Sequence, residues 1–198
     1  MFETGTAEEF IEDAEHHNEW WGGGSSPELS QAVGFTPRSD FHNVLKTTNT
    51  YYTEGIESLV YSIHGQTGIG KTTLLHQLVA ALLNTTNFPH QNTDLELTSD
   101  IDPRQILYIP LEDSLYQLER TGDDIKRLKQ VIDYFQTHVA PRREQKFIFL
   151  DDVQALDLNE NRKAELLNLV DQKSYVFLTG IVESQVDLST TESADTVD

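Results

Sequence analysis

Residues 65–73 have the sequence Gly-Gln-Thr-Gly-Ile-Gly-Lys-Thr-Thr, which fits the pattern G-x-x-x-x-G-K-[ST] without a mismatch. The glycines of this pattern allow backbone conformations that other residues resist, so that successive N–H groups can point at phosphate oxygens. Lys71 is predicted to place its ammonium on the β- and γ-phosphates, and the Thr72 hydroxyl to bind Mg²⁺. The predicted nucleotide-binding residues are Gly65, Gln66, Thr67, Gly68, Ile69, Gly70, Lys71, Thr72 and Thr73.

The segments on both sides of this loop predict the strand and the helix that it requires. Residues 59–64 are a short apolar-rich run with β-branched and aromatic members, which predicts a buried strand. Residues 71–84 carry leucine and valine at helical spacing around most of the circumference, which predicts a buried helix. The N-terminus of that helix adds the positive end of its dipole to the anion site.

The composition limits the class of protein. The 198 residues suffice for one domain with a sizeable core, and 33 acidic against 14 basic residues give a formal net charge of −19. Because such a surface repels phosphates, we expect no nucleic-acid partner for this chain alone. Self-repulsion is screened at high salt, so the excess of acid favours a halophilic source, the alternative being an ordinary acidic protein.

The sequence also indicates a cellular compartment. No apolar run reaches the length of a membrane span, and the N-terminus has neither the basic start nor the apolar stretch of a signal peptide. There is no cysteine, which excludes disulfides and thiolate metal sites. We therefore expect a cytoplasmic protein without a membrane partner.

Strand and helix patterns alternate through the middle of the chain. Further strands are predicted at 106–109, 147–150 and 175–178, and further helices at 123–139 and 162–170. The alternation predicts an α/β fold in which helices cover both faces of a parallel sheet. We place this core at residues 51–183, between a partly irregular N-terminal extension at 1–50 and a disordered acidic tail at 184–198.

The N-terminal extension contains two predicted helices. One is amphipathic and covers residues 7–18, and a second short one starts near Pro37 or Ser39. Trp20 and Trp21 begin a glycine- and serine-rich cluster that predicts a loop. The two tryptophans either stack on adenine, dock a partner or, most often for such residues, anchor the extension onto the domain.

The strand predicted at 147–150 ends in Asp151 and Asp152, which is the Walker B pattern of apolar residues followed by an acid. Ligands of open parallel sheets bind beyond the carboxyl ends of the strands, so Asp151 is predicted to hold the water shell of Mg²⁺ opposite Thr72. Asp152 is predicted to orient the attacking water as a general base, although two acids after a strand are also a common turn or helix-start signal. Thr179 either contacts the γ-phosphate or the attacking water, or simply ends a strand. The predicted catalytic residues are Asp152, Lys71 and Thr179.

Four segments, at 64–75, 106–113, 149–154 and 176–180, together resemble the AAA-type P-loop ATPases of archaea and bacteria. The sequence Asn-Glu-Trp-Trp at 18–21 is similar to an upstream Asn-Pro-Trp-Trp segment of that family. The resemblance implies ATP and Mg²⁺ as ligands. It also implies an additional-strand sheet, in which a parallel strand lies between the loop strand and the acid strand, and we expect the strand at 106–109 to be the inserted one.

Two departures from the family pattern limit this prediction. Asp152 stands where the family usually has a glutamate, which is one methylene longer, so the water is expected to lie far from the base. No fifth strand, arginine finger or C-terminal lid is visible after the fourth predicted strand, so a protein partner or a second copy of the chain is expected to supply an arginine. The sequence thus predicts an ATP·Mg²⁺-binding ATPase with slow hydrolysis. The alternatives are a nucleotide-gated interaction module without significant hydrolysis and a small-molecule phosphotransferase.

Overall fold

The computed structural model describes residues 7–24, 26–66, 68–83, 101–111, 124–153, 168 and 173–180. Its helices are α1 (Ala7–His17), α2 (Pro27–Val33), α3 (Ser39–Glu54), α4 (Lys71–Leu82) and α5 (Asp124–Tyr134), the last continued by a π-helical turn at Phe135–Val139. Its strands are β1 (Leu59–His64), β2 (Ile106–Pro110), β3 (Lys146–Asp151) and β4 (Ser174–Gly180). Thr67, the predicted tail and, except for residue 168, the helix predicted at 162–170 lie outside the described residues.

The four described strands form one parallel sheet in the order β1-β4-β3-β2. The predicted α/β fold with a parallel sheet of the additional-strand type is confirmed, but the predicted position of one strand is wrong. β2 lies at the outer edge beside β3, and the strand inserted between β1 and β3 is β4. Position along the chain does not fix position across a parallel sheet, because each crossover can carry the chain past a neighbouring strand.

Side chains alternate between two hydrophobic cores, one on each face of the sheet. On one face Tyr108, Phe149 and Phe177 belong to a cluster that includes buried residues of α2, α3 and α4. On the other face Leu107 and Ile148 belong to a cluster that includes buried residues of α1 and α5. Helices therefore cover both faces, as the alternating sequence pattern predicted.

Strand β1 is less buried than the sequence predicted. Val60 is 40% exposed, and Ile63 is the buried member of the strand. The reason is its place in the sheet, since among the described strands β1 pairs with β4 alone.

The N-terminal segment is more regular than predicted. The first predicted helix is confirmed as α1, and the second, α3, has 16 residues and is longer than expected. The loop predicted after Trp21 is partly wrong, because a 3-10 turn covers Glu19–Gly22 and α2 begins at Pro27. Ser26 caps α2 with its hydroxyl, and a serine N-cap followed by proline is a helix-start signal. The division of the chain at residue 50 stays a prediction.

The N-terminal segment also covers the outer edge of β2. Asn18 donates from Nδ2 to the carbonyl oxygen of Tyr108 (2.8 Å) and accepts from the Tyr108 N–H at Oδ1 (2.7 Å). The indole N–H groups of Trp20 and Trp21 donate to the carbonyl oxygen of Ile106 at 3.2 and 2.7 Å. These are backbone groups that an edge strand leaves unpaired, so the chain satisfies its own sheet edge. The two tryptophans therefore anchor the extension onto the domain, which is one of the three roles that the sequence predicts for them.

Candidate functional site

Three polar side chains lie on one face of the sheet, two of them near the carboxyl ends of β3 and β4 and the third in the middle of β2. Tyr108, Asp151 and Thr179 each follow, at a spacing of two, an aromatic or apolar residue of the core that includes α4. The register aligns Asp151 with Thr179, because Leu150 lies opposite Leu178. Tyr108 lies opposite Phe149, two residues before Asp151, and its phenol reaches the carboxylate from there. Thr179 in turn lies opposite Ile63 of β1, the strand that leads into the predicted phosphate loop. The sheet thus brings the predicted acid and Thr179 to the side that α4 covers.

Two glycines of the loop between β1 and α4 have a left-handed backbone conformation. Gly68 and Gly70 adopt φ values of 80° and 86°, which place both in the left-handed region that favours glycine. Helix α4 begins directly after Gly70, at Lys71, so its unpaired N-terminal N–H groups and the positive end of its dipole lie at the loop. These features fit a bound phosphate group.

Lys71 is buried, and its ammonium lies inside the loop. Nζ donates to the carbonyl oxygens of Gly65 and Gln66, both at 3.0 Å. An ammonium has three N–H donors on a flexible stem, so these contacts hold the charge beside the loop without requiring a fixed direction. The arrangement keeps the cation where the sequence pattern predicts the β- and γ-phosphates.

Asp151 is the last residue of β3, and its carboxylate accepts hydrogen bonds from two hydroxyls. Tyr108 donates from its phenol oxygen to Oδ2 (3.0 Å), and Thr179 donates from Oγ1 to Oδ1. Asp151 is 3% exposed and Thr179 is 0% exposed. Burial, followed by the charge of Asp151, raises the pKa of the Tyr108 phenol well above its usual value, so this hydroxyl remains a donor.

The Thr179 hydroxyl makes two hydrogen bonds to the acid pair. It donates its single hydrogen to Asp151 and accepts from the backbone N–H of Asp152 at 2.9 Å. The hydroxyl would have to release Asp151 before it could donate to a phosphate oxygen, whereas its second acceptor lone pair remains for a water. The phosphate-contacting role of Thr179 stays a prediction.

Asp152 marks the point where the chain leaves the sheet. Its φ is 57°, in the left-handed region, where aspartate and asparagine are found far more often than most other side chains. Such conformations persist only where the surrounding structure stabilises them, and they are found most often at active sites. The half-buried Asp152 lies directly after the buried Asp151, and its role as general base stays a prediction.

Helix α4 carries the predicted metal-binding hydroxyl towards the same face. Thr72 is exposed and lies four residues before His76, so both side chains project from one side of α4. The His76 ring lies 4.7 Å from the Tyr108 ring, measured between centroids. Burial lowers the pKa of His76, opposed by the negative charges of Asp151 and Glu28. This side of α4 therefore faces the Tyr108–Asp151 pair, with Thr72 one turn nearer the loop.

The residues present fit a magnesium ion that is shared with phosphate rather than enclosed by protein. In the described part of the chain, no group of three or more histidine, aspartate or glutamate side chains could hold a metal ion by itself. Mg²⁺ typically binds proteins through one or two carboxylates, with waters and substrate phosphates completing its shell. Asp151 and the hydroxyl of Thr72 are the side chains that would hold such an ion here.

Sequence reasoning missed four residues around the site. Arg38, just before α3, donates from Nη1 to the carbonyl oxygen of Ile69 in the loop (2.8 Å) and pairs with Asp40 (2.9 Å). Tyr108 and His76 appear in the sequence as ordinary members of an apolar strand and an apolar helix. The buried Asn18 does have a sequence signal, because it begins the Asn-Glu-Trp-Trp segment that is similar to the family's upstream motif.

A family model described as "AAA domain" matches residues 57–196, more than two thirds of the chain. The chain belongs to the AAA domain family. The match includes the loop, β1 to β4 and the Asp151–Asp152 pair, and membership indicates a nucleotide-binding, ATPase-like protein. The segment before residue 57, which carries Asn18 and Arg38, lies outside the matched range.

A comparison with curated proteins found no match to this AAA-domain chain. None of the helices in its described part is both long and apolar enough to cross a membrane.

Proposed function

We propose that the chain binds ATP with Mg²⁺ and hydrolyses it slowly. The observation that carries the proposal is the position of the buried Asp151 carboxylate, at the end of β3 and on the face of the sheet that α4 covers. A phosphate loop at the start of that helix and an acid on the facing strand are the two halves of a nucleotide–magnesium site. Family membership supports the binding of a nucleotide. The geometry of the sheet supports the position of the acid relative to the loop.

The proposed roles are those that the sequence pattern predicts. The backbone of residues 65–73 and the Lys71 ammonium bind phosphate, Thr72 and Asp151 hold the metal, and Asp152 aligns water. When bound, Mg²⁺ would neutralise the charge that develops on the phosphates. Arg38 contacts the loop, but its guanidinium is bound to the Ile69 carbonyl oxygen and to Asp40. An arginine supplied in trans is worth about 10³ to 10⁵ in rate. Slow turnover by the chain alone follows, with a partner or second copy as the proposed source of the arginine.

The binding half of the proposal is tested by titrating ATP and Mg²⁺ into the protein at molar KCl. We expect Lys71→Ala to abolish measurable binding, because the cation at the loop is lost. Lys46→Ala is the matched control, because Lys46 is exposed on α3 and its loss removes the same charge away from the loop. Equal affinity of the two variants would contradict the proposed site.

The catalytic half is tested by turnover of the isolated chain. We expect a rate far below the ~1–100 s⁻¹ that is usual for kinases, because positioning and charge stabilisation are incomplete. A rate within that range without any partner would contradict slow hydrolysis.

A second candidate is an interaction module that binds ATP without significant hydrolysis, and the backbone of Asp152 favours it. The shorter acid occupies a left-handed position, where glutamate is less readily accommodated, so this position is suited to aspartate rather than to the longer base. Single-turnover assays of the wild type and Asp152→Glu separate the two functions. A rate gain with glutamate supports the interaction module, and equal rates support the slow ATPase.

A further inference from the structure

We propose that Tyr108 is a positioning residue for the Asp151 carboxylate and so sets the metal-dependent part of nucleotide affinity. The inference rests on the proposed function, because it concerns the acid proposed to hold the metal. It adds a residue from the outer strand β2, which no part of the predicted site included.

The first support is the hydrogen bond between the two side chains. The Tyr108 phenol donates to Asp151 Oδ2 at 3.0 Å, and the residues are 5% and 3% exposed. A hydrogen bond to a charged group is stronger than one between neutral groups, and water does not compete for it when both partners are buried. Tyr108 therefore restrains one oxygen of the carboxylate while Thr179 restrains the other.

The second support is that Tyr108 is itself held from both sides. Asn18, which is 1% exposed, bonds both backbone polar groups of Tyr108 and also donates to the carbonyl oxygen of Ala14 in α1 (2.7 Å). On the other side the His76 ring of α4 lies against the phenol ring. The phenol is thus fixed relative to the sheet and keeps its bond to Asp151 when a ligand arrives.

The consequence concerns the acceptor positions that remain on Asp151. A carboxylate offers about four lone-pair positions, and the two hydroxyls occupy one on each oxygen. The remaining positions stay available to metal-bound water, in a direction that the two hydroxyls determine. Removing the Tyr108 hydroxyl lets the carboxylate turn, which weakens binding of the metal and leaves the phosphate contacts of the loop unchanged.

The test is Tyr108→Phe, which keeps the ring and removes only the hydroxyl. The β,γ-imido analogue of ATP is titrated by calorimetry into each protein, once with EDTA and once with saturating Mg²⁺. The ratio of the two affinities is the magnesium enhancement. We expect this enhancement to fall about tenfold in Tyr108→Phe, with the affinity in EDTA within about twofold of the wild type.

The matched control is Tyr175→Phe. Tyr175 is a buried tyrosine of strand β4, and its hydroxyl donates to the carbonyl oxygen of Ile56 at the opposite end of the sheet (2.6 Å). We expect its magnesium enhancement to equal that of the wild type. This comparison separates positioning of Asp151 from a general loosening of the sheet.

An unchanged or larger enhancement in Tyr108→Phe overturns the inference, and so does an equal fall in Tyr175→Phe. Either result leaves the proposed function intact if the wild type binds the analogue more tightly with Mg²⁺. A wild type that binds the analogue neither with nor without Mg²⁺ overturns the proposed nucleotide site itself, and this inference with it.

Discussion

The buried hydroxyl of Thr179 connects two neighbouring strands near their carboxyl ends. Its oxygen donates to Asp151 and accepts from the Asp152 N–H, so it connects β4 to the point where β3 ends. Without it a buried carboxylate would lose a donor and a backbone N–H would lose its acceptor. Unpaired buried polar groups cost more free energy than the net gain of an ordinary hydrogen bond.

We expect Thr179→Val to lower the free energy of unfolding by about 2–3 kcal/mol, because the isosteric valine removes both bonds, one to a buried carboxylate and one from a backbone N–H. The measurement is urea unfolding at constant salt. Thr48→Val is the control, since Thr48 is equally buried but its hydroxyl donates only to the Val44 carbonyl within α3 (2.8 Å). Losses of the same size at both positions would show that Thr179 has no special structural role.

The backbone conformation of Asp152 affects how its side chain can be compared with a glutamate. The sequence comparison treats aspartate here as a shortened glutamate, whereas the structure shows a left-handed residue at the exit of a strand. Short polar side chains hydrogen-bond locally in that conformation and tolerate it better than long ones. Any rate measured for Asp152→Glu therefore includes a change in backbone cost as well as a change in reach.

At the scale of the element, the main feature is the outer edge of β2. A parallel strand at an edge has unpaired N–H and C=O groups, which are available for pairing with another chain. In this protein a side-chain amide and two indoles from the N-terminal segment bond those groups. Pro110, the last residue of β2, has no N–H to satisfy. The N-terminal segment thus acts as the covering layer of the sheet edge.

We expect Asn18→Asp to destabilise the protein by about 3 kcal/mol or more. The carboxylate loses both donors to the Ala14 and Tyr108 carbonyls and places a buried negative charge beside them. Thermal or urea unfolding measures the change. Asn43→Asp adds the same charge at an exposed position of α3 and should stay within about 0.5 kcal/mol of the wild type. If both variants lost a comparable amount of stability, the effect would be due to charge alone. That result would contradict the role of the Asn18 side-chain amide at the edge of β2.

At the scale of the whole molecule, the dominant property is the net charge of −19. Self-repulsion of this size destabilises the compact state, and added salt screens it because the Debye length falls from about 10 Å at 0.1 M to about 3 Å at 1 M. The acid is spread along the chain, so the repulsion acts on the domain as well as on its ends. The composition supports adaptation to high salt, which we retain as a hypothesis.

We expect the free energy of unfolding to rise steadily between 0.1 and 2 M KCl at pH 7. The control is the same salt series near the sequence pI of about 4.5, where the net charge is small and the increment should largely disappear. The measurement is the urea midpoint at each salt concentration. Stability that is independent of KCl at pH 7 would contradict salt adaptation.

The sequence by itself determined the loop, the strands and helices around it and the acid pair that ends β3. These features are local: glycine freedom, helical periodicity and short apolar runs act over a few neighbouring residues. The helix start at Pro27 was equally local, and the glycine- and serine-rich composition around it concealed the signal.

Only the tertiary structure decided that β4 rather than β2 separates the loop strand from the acid strand. It alone placed Tyr108 on Asp151, 43 residues away, and Asn18 on Tyr108, 90 residues away. The physical reason is that these contacts depend on which strands become neighbours. Lateral strand order follows from packing both faces of the sheet at once, which no short stretch of the chain specifies.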